Sequence, residues 1–131
     1  MEGLHVLVAE DNPVNRTLID CMLKNLGVRV TLLNNGSKVT VVLAHQDIDP
    51  VLMDLQMPTM DGFEATTRVR HLPSPLGDVP IVALTASALV QGRQRRLNAG
   101  MDDHITKPID PKVLEQTLIR WSRQRIQRQA L

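Results

Sequence analysis

The chain has 131 residues, the length of one ordinary domain and enough to bury a core of its own. Its formal net charge of +1 excludes the strongly basic surface that drives nucleic-acid binding, so direct contact with nucleic acid is not expected. The single cysteine, Cys21, excludes an internal disulfide, and its apolar neighbours favour burial in a helix. The sequence shows neither a leader segment nor an apolar run long enough for a membrane span, which predicts a cytoplasmic protein.

Short apolar runs that alternate with amphipathic segments predict five strands and five helices. The strands are expected at residues 5–9, 28–33, 51–53, about 80–84 and 104–106. The helices are expected at residues 13–26, 37–46, 63–71, 87–99 and 110–121. Because every strand is followed by a helix, the sequence predicts an α/β fold with a doubly wound, five-stranded parallel sheet in the order 2-1-3-4-5.

Capping residues indicate where the predicted helices begin and end. Asn12 is the expected cap of helix one, and Gly27 is expected to end it. Ser37 and Asp110 are expected to cap helices two and five, and Ser87 to start helix four. The apolar positions of helix one that repeat at helical spacing are Val14, Leu18, Met22 and Leu26.

Polar side chains follow four of the predicted strands at the points where they end. They are the acid pair Glu10 and Asp11, then Asp54, Thr85 and Lys107. Because the carboxyl ends of parallel strands meet at one edge of a sheet, these groups are predicted to form one site. The carboxylates repel one another, and a hard divalent cation, with magnesium as the natural candidate, keeps them ionised together. A lysine and a hydroxyl can receive phosphoryl oxygens, so the set indicates phosphoryl transfer to a carboxylate.

Four sequence blocks resemble those of a known family. They are residues 7–15, 53–62, 84–86 and 106–108, which read LVAEDNPVN, MDLQMPTMDG, LTA and TKP. In this order and at strand ends, they are similar to the signature blocks of receiver domains of two-component response regulators, and the first two are especially similar to receiver modules of hybrid sensor histidine kinases. The resemblance covers residues 4–121 and implies a flavodoxin-like receiver fold, with residues 122–131 as a C-terminal helix extension or tail.

The resemblance implies a role for each matching position. Asp54 would accept a phosphoryl group from a phosphohistidine, with Mg²⁺ as the cofactor. The implied magnesium ligands are Asp11, Asp54, the backbone carbonyl of Gln56 and, through a water, Glu10. Lys107 would pair with the acceptor carboxylate and then with the phosphoryl oxygens, and Thr85 would move its hydroxyl onto the phosphoryl group. The resemblance also implies a cis peptide bond between Lys107 and Pro108.

The chain departs from the family pattern on strand five, where His104 stands at a position that is most often tyrosine or phenylalanine. Two interpretations stay open, namely that His104 acts as the switch side chain or that it is a solvated strand residue.

The implied partner is a phosphohistidine-bearing kinase or a histidine phosphotransfer domain. It would dock on a mixed apolar surface with one cation beside the acceptor. That surface would be formed by Pro13, Val14, Arg16, Thr17, Pro108 and Ile109. The chain is either a stand-alone receiver or a piece of a hybrid kinase, which in full length could be anchored in a membrane.

Other functions share parts of this pattern. A haloacid-dehalogenase-like phosphatase needs a second aspartate two positions after the first, where this chain has Gln56. A flavodoxin-like FMN carrier needs a phosphate-binding loop after strand one, where Glu10 and Asp11 would repel a phosphate. A pseudo-receiver, which has the fold and binds partners without taking phosphate, remains the alternative to a domain that catalyses its own phosphorylation and dephosphorylation at Asp54.

Overall fold

The computed structural model describes residues 3–57, 60–86 and 90–130, and for residues 90, 91 and 123–130 it describes the backbone alone. The strands are β1 His5–Ala9, β2 Arg29–Leu33, β3 Val51–Asp54, β4 Ile81–Thr85 and β5 Asp103–Thr106. The helices are α1 Pro13–Asn25, α2 Val39–His45, α3 Gly62–Arg70, α4 Val90–Ala99 and α5 Pro111–Ala130. A short 3₁₀ turn at Leu76–Asp78 lies in the loop before β4. Ser87, the predicted start of the fourth helix, lies outside the described residues.

The five strands form one parallel sheet in the order β2-β1-β3-β4-β5, which confirms the predicted architecture. Strands β3 and β4 are buried at every position, because helices cover both faces of the sheet. Side chains alternate between two cores: Leu7 and Met53 point to one face, and Val8 and Leu52 to the other. This layering brings the carboxyl ends of all the strands to one edge.

Two of the three predicted caps among the described residues are confirmed. The Asn12 side chain accepts hydrogen bonds from the backbone N–H groups of Val14 (2.9 Å) and Asn15 (3.1 Å), and Asp110 accepts one from the N–H of Lys112 (2.8 Å). The prediction for Ser37 is wrong, because α2 begins at Val39 with Lys38 at its cap position and no side-chain capping bond.

The reason for the late start of α2 lies in the preceding turn. The side chain of Asn35 accepts a hydrogen bond from the Ser37 backbone N–H at 2.8 Å, and the Ser37 hydroxyl also bonds to it. This local turn uses the polar groups of Ser37 and competes with helix formation.

Only part of the apolar repeat of helix α1 packs on the sheet, where Met22 and Leu26 are partly buried. Ile19 and Leu23 are buried, whereas the side chains of Val14 and Leu18 are 67% and 52% exposed. Positions four residues apart drift by about 40° per step around a helix, so a long i, i+4 series cannot stay on one side.

Cys21 is exposed, which corrects the prediction that it would be buried. Among the described helices, none combines the length and apolar character that a membrane span requires.

Candidate functional site

The groups predicted from the strand ends surround one cleft of about 470 Å³ at the carboxyl edge of the sheet. Asp54 and Thr85 are the last residues of β3 and β4, and both are buried. The side chains lining the cleft include Glu10, Asp11, Asp54, Thr85 and Lys107. The fold therefore brings the candidate residues together, while their chemical roles stay predictions.

Three carboxylates crowd one side of this cleft. One oxygen atom from each of Glu10, Asp11 and Asp54 lies within 4.8 Å of the others. Glu10 is fully buried, Asp54 is 4% exposed and Asp11 is half-buried. Glu10 Oε2 is buried and forms no hydrogen bond, although the Lys107 ammonium lies 3.2 Å away. A close set of hard oxygen ligands, one of them without a hydrogen bond, fits a magnesium ion.

Lys107 is the cation nearest to these acids. Its Nζ lies 3.3 Å from Asp54 Oδ1, to which it donates a hydrogen bond, and 3.2 Å from Glu10 Oε2, with which it forms an ion pair that lacks hydrogen-bond geometry. One ammonium group cannot neutralise three carboxylates. The cleft is therefore short of positive charge, which also favours a divalent cation.

Burial raises the pKa of Asp54 from an ordinary value of 3.8 to about 6. The backbone N–H of Gln56, which donates to Asp54 Oδ1 at 3.2 Å, opposes this rise in pKa. Repulsion from Glu10 adds to the rise, and Lys107 opposes it. An acid with this pKa is mostly ionised at neutral pH and is held in a surrounding that favours added positive charge.

A close backbone contact fixes the end of β3, where Asp54 lies. The N–H of Gly62 donates to the Leu55 carbonyl at 3.2 Å, and a Cβ atom at position 62 would collide with the carbonyl oxygen of Asp54 and lie 3.0 Å from Leu55 Cα. Glycine therefore lets α3 begin directly against the end of β3. The Lys107–Pro108 peptide bond is cis, as predicted.

Arg16 was predicted to lie on the docking surface, but its guanidinium turns inward. Its Nη1 donates to the backbone carbonyls of Glu10 at 3.1 Å and of Asp11 at 3.4 Å. The side chain is half-buried and braces the acidic loop after β1. The sequence could not show this contact, because its acceptors are backbone atoms.

Of the rest of the predicted docking surface, Pro13, Val14, Thr17 and Pro108 are exposed, and Ile109 is partly buried against the core. Val14 lies at the start of α1, and the Thr17 hydroxyl is turned back to donate to the Pro13 carbonyl at 2.9 Å. A groove of about 90 Å³ lies between α1 and the loop after β5. It is lined in part by Leu18, Met22, Pro108 and Ile109.

Gln56 and His104, two further residues that the resemblance implies, lie in different surroundings. Gln56 is exposed, and its backbone N–H donates to Asp54 Oδ1. The role of its backbone carbonyl as a metal ligand stays a prediction. His104 is half-buried on β5 and lines a separate cavity of about 330 Å³ with Arg96 and Met101. Neither interpretation of His104 is decided by this position.

The cleft contains further residues that the sequence analysis did not select. Asp61 caps α3 by accepting a hydrogen bond from the N–H of Glu64 at 2.9 Å, and the block that ends in Asp61 and Gly62 could have indicated it. Phe63 and Arg95 also line the cleft, and the Arg95 guanidinium carbon lies 3.9 Å from the centre of the Phe63 ring. No sequence signal links these two residues, which lie on different helices.

Comparisons with known proteins identify chains of closely similar sequence. The family described as "Response regulator receiver domain" matches residues 6–119. The sensor histidine kinase GacS of Pseudomonas protegens is 39% identical over 119 residues, which are 89% of this chain and 13% of that protein. The sensor histidine kinase RcsC of Salmonella typhimurium is 41% identical over 117 residues, which are 89% of this chain and 12% of that protein. The chain thus spans about an eighth of the length of these relatives.

Solved structures share the fold. The receiver domain of a sensor histidine kinase from Pseudomonas aeruginosa, with a magnesium ion coordinated in its active-site cleft, is 43% identical with a TM-score of 0.83, covering 91% of this chain and 97% of that chain. The receiver domain of the Saccharomyces cerevisiae response regulator Ssk1, crystallised with the histidine phosphotransfer protein Ypd1, is 28% identical with a TM-score of 0.82, covering 90% of this chain and 88% of that chain.

Proposed function

Because the chain belongs to the response regulator receiver domain family, we propose that it accepts a phosphoryl group from a phosphohistidine on Asp54 and changes conformation to signal. The single observation that carries this proposal is the placement of Asp54 within one cluster with Glu10, Asp11 and Lys107. A buried carboxylate beside an ammonium group and two further acids is suited to phosphoryl transfer, in which the protein supplies position and charge rather than covalent chemistry.

Magnesium is part of the proposal. Asp11 and Asp54 would hold the ion directly, Glu10 through a water and Gln56 through its backbone carbonyl. When bound, the ion would supply positive charge to the phosphoryl oxygens and offset the repulsion among the carboxylates. The close carboxylate oxygens support these assignments, and so does Glu10 Oε2, which is buried and forms no hydrogen bond.

The chain's own residues have distinct roles in the transfer. A carboxylate oxygen of Asp54 forms a bond to phosphorus while the bond from phosphorus to the donor imidazole nitrogen breaks, and the electron pair stays on that nitrogen. Lys107, which contacts Asp54, would donate hydrogen bonds to the negatively charged phosphoryl oxygens. Thr85, at the end of the neighbouring strand, would then donate its hydroxyl to the phosphoryl group. In dephosphorylation, a water oxygen would form a bond to phosphorus while the bond from phosphorus to the Asp54 oxygen breaks. The electron pair would stay on the carboxylate, a water proton would go to solvent, and inorganic phosphate would leave.

The proposed partner is a kinase or phosphotransfer domain that carries the phosphohistidine on a helix. The exposed side chains of Val14 and Leu18 and the groove beside Pro108 support docking on this side of the cleft. The Ssk1 domain, a structural relative, was crystallised with a histidine phosphotransfer protein. We assign residues 4–121 to the receiver unit and propose that it serves a hybrid sensor kinase.

His104 would be the switch side chain that follows the movement of Thr85, because it lies on β5, the strand paired with β4. The pseudo-receiver alternative is not favoured, because the cleft holds the acids, the lysine and the threonine that phosphoryl transfer requires. The test is transfer from a phosphorylated histidine phosphotransfer protein to the wild-type chain and to the Asp54→Asn variant. We expect transfer to the wild type alone.

A further inference from the structure

Arg95 lies in the wall of the acceptor cleft but has no acidic partner among the described residues. Its guanidinium carbon lies 3.9 Å from the centre of the Phe63 ring, within the range of a cation–π contact. Among the described residues, the Arg95 side chain forms no ion pair and no hydrogen bond, although Asp61 lines the same cleft. The contact therefore holds an otherwise unpaired cation at the site.

The charges in the cleft indicate a function for Arg95. Among the described residues that line it, Lys107 and Arg95 are the only two cations. Lys107 is engaged with Asp54 and Glu10, and together with a divalent ion it would just balance the three clustered carboxylates. An incoming phosphoryl donor adds about two negative charges and would also meet Asp61 at the rim. Binding of the donor therefore requires a further cation that is not already paired with a carboxylate.

Arginine on an aromatic ring is well suited to this task. A guanidinium group stays protonated, and its planar fork can donate two hydrogen bonds to phosphoryl oxygens while its flat face rests on a ring. The Phe63 ring restricts the rotamers of the long side chain, so less conformational entropy is lost when the donor binds. Phe63 and Arg95 lie on α3 and α4, on the side of the cleft opposite α1.

We propose that Arg95, held over Phe63, binds a phosphoryl oxygen of the incoming donor and sets the affinity of the site for phosphoryl donors. This inference rests on the proposed function. Arg95 exchanges no proton: the phosphorus–nitrogen bond breaks, the phosphorus–oxygen bond to Asp54 forms, and the leaving nitrogen keeps the electron pair and takes a proton from solvent. Lys107 starts on the acceptor carboxylate, so it is not free to meet the donor before the bond to Asp54 begins to form.

The test is the rate of Asp54 phosphorylation measured over a range of phosphoramidate concentrations with magnesium present. Arg95→Gln should raise the half-saturating phosphoramidate concentration roughly 3- to 10-fold and change the maximal rate by less than about twofold. Arg93→Gln is the matched control, because Arg93 is an exposed cation on the same helix outside the cleft, and it should behave as the wild type. Phe63→Leu should give a smaller rise than Arg95→Gln, and Arg95→Lys should fall between the wild type and Arg95→Gln.

Salt dependence separates a charge effect from a structural one. The wild-type rate at low phosphoramidate should fall more steeply with ionic strength than that of Arg95→Gln, while the two unfold at similar temperatures. Equal half-saturating concentrations for Arg95→Gln and Arg93→Gln would overturn this inference and leave the proposed function intact. A wild type that takes no phosphoryl group would overturn both. If Arg95→Gln does not fold, Arg95→Lys and Phe63→Leu carry the same test.

Discussion

The backbone N–H of Lys107 donates a hydrogen bond of 2.7 Å to the carbonyl oxygen of Thr85. This bond continues the pairing of β4 with β5 past the last paired residues, Thr85 and Thr106. The bond therefore fixes the backbones of Thr85 and Lys107 relative to each other at this edge of the cleft. A movement of Thr85 toward a phosphoryl group would be transmitted to the strand that carries His104.

Removing the lysine should weaken the fold as well as the site. Lys107→Ala leaves buried Glu10 and Asp54 without their nearby cation, so we expect a loss of roughly 1 to 3 kcal/mol in the free energy of unfolding at neutral pH without magnesium. The loss should shrink at acid pH, where carboxylates are protonated. Some labelling of Asp54 should persist, with weaker signalling. Urea unfolding at several pH values measures the first effect, and a loss that grows toward acid pH would contradict it.

The raised pKa of Asp54 predicts how the stability of the folded protein depends on pH. Asp54 has a pKa of about 6 in the folded protein and 3.8 in the unfolded chain. Between these two values the folded protein binds more protons than the unfolded chain, so the free energy of unfolding decreases as the pH rises. Above a pH of about 6 the decrease is complete. Without magnesium, Asp54→Asn should be more stable than the wild type at about pH 8 by roughly 1 to 3 kcal/mol, and nearly equal at about pH 4.

Thermal unfolding of both proteins at the two pH values checks this expectation. Magnesium provides the control, because it should raise the wild-type unfolding temperature more than that of Asp54→Asn. If Asp54→Asn is less stable than the wild type at the higher pH, the ionised Asp54 side chain does not destabilise the folded protein.

Much of the site could be predicted because its residues follow short apolar strands. Parallel strands end at one edge, so Glu10, Asp54 and Thr85 had to converge once the strands were assigned correctly. The inward turn of Arg16 could not be predicted, because it depends on backbone carbonyls. The exposure of Leu18 could not be predicted either, since a repeat of four residues alone does not show which face of a helix meets the sheet.

The docking surface predicts different responses to large and small donors. Val14→Glu and Thr17→Glu should slow transfer from a phosphohistidine protein, because a charge at an apolar contact must be desolvated. Phosphorylation by acetyl phosphate should be nearly unchanged. Val41→Glu is the matched control, because Val41 is 57% exposed on α2, away from this surface. Equal slowing of both donors by Val14→Glu would count against docking here.

His104 can be tested apart from the chemistry, because it lies in a different cavity from the acceptor. His104→Ala should leave the rate of Asp54 labelling within about twofold of the wild type. If His104 is the switch, its ring NMR signals should shift on phosphorylation, and Thr85→Ala should abolish that shift. A ring that does not respond to phosphorylation would identify His104 as a solvated strand residue.

The most direct measurement is the intact mass of the protein after incubation with acetyl phosphate, with and without magnesium. We predict one added phosphoryl group in the wild type with magnesium and none without it, because Asp54 can attack an anionic donor only when the charge of Glu10 and Asp11 is offset. Asp54→Asn should take none, and Asp11→Ala should take very little. Undiminished uptake by Asp54→Asn would place the acceptor elsewhere, and a wild type that takes no phosphoryl group from acetyl phosphate or a phosphohistidine protein would contradict the account in favour of a pseudo-receiver.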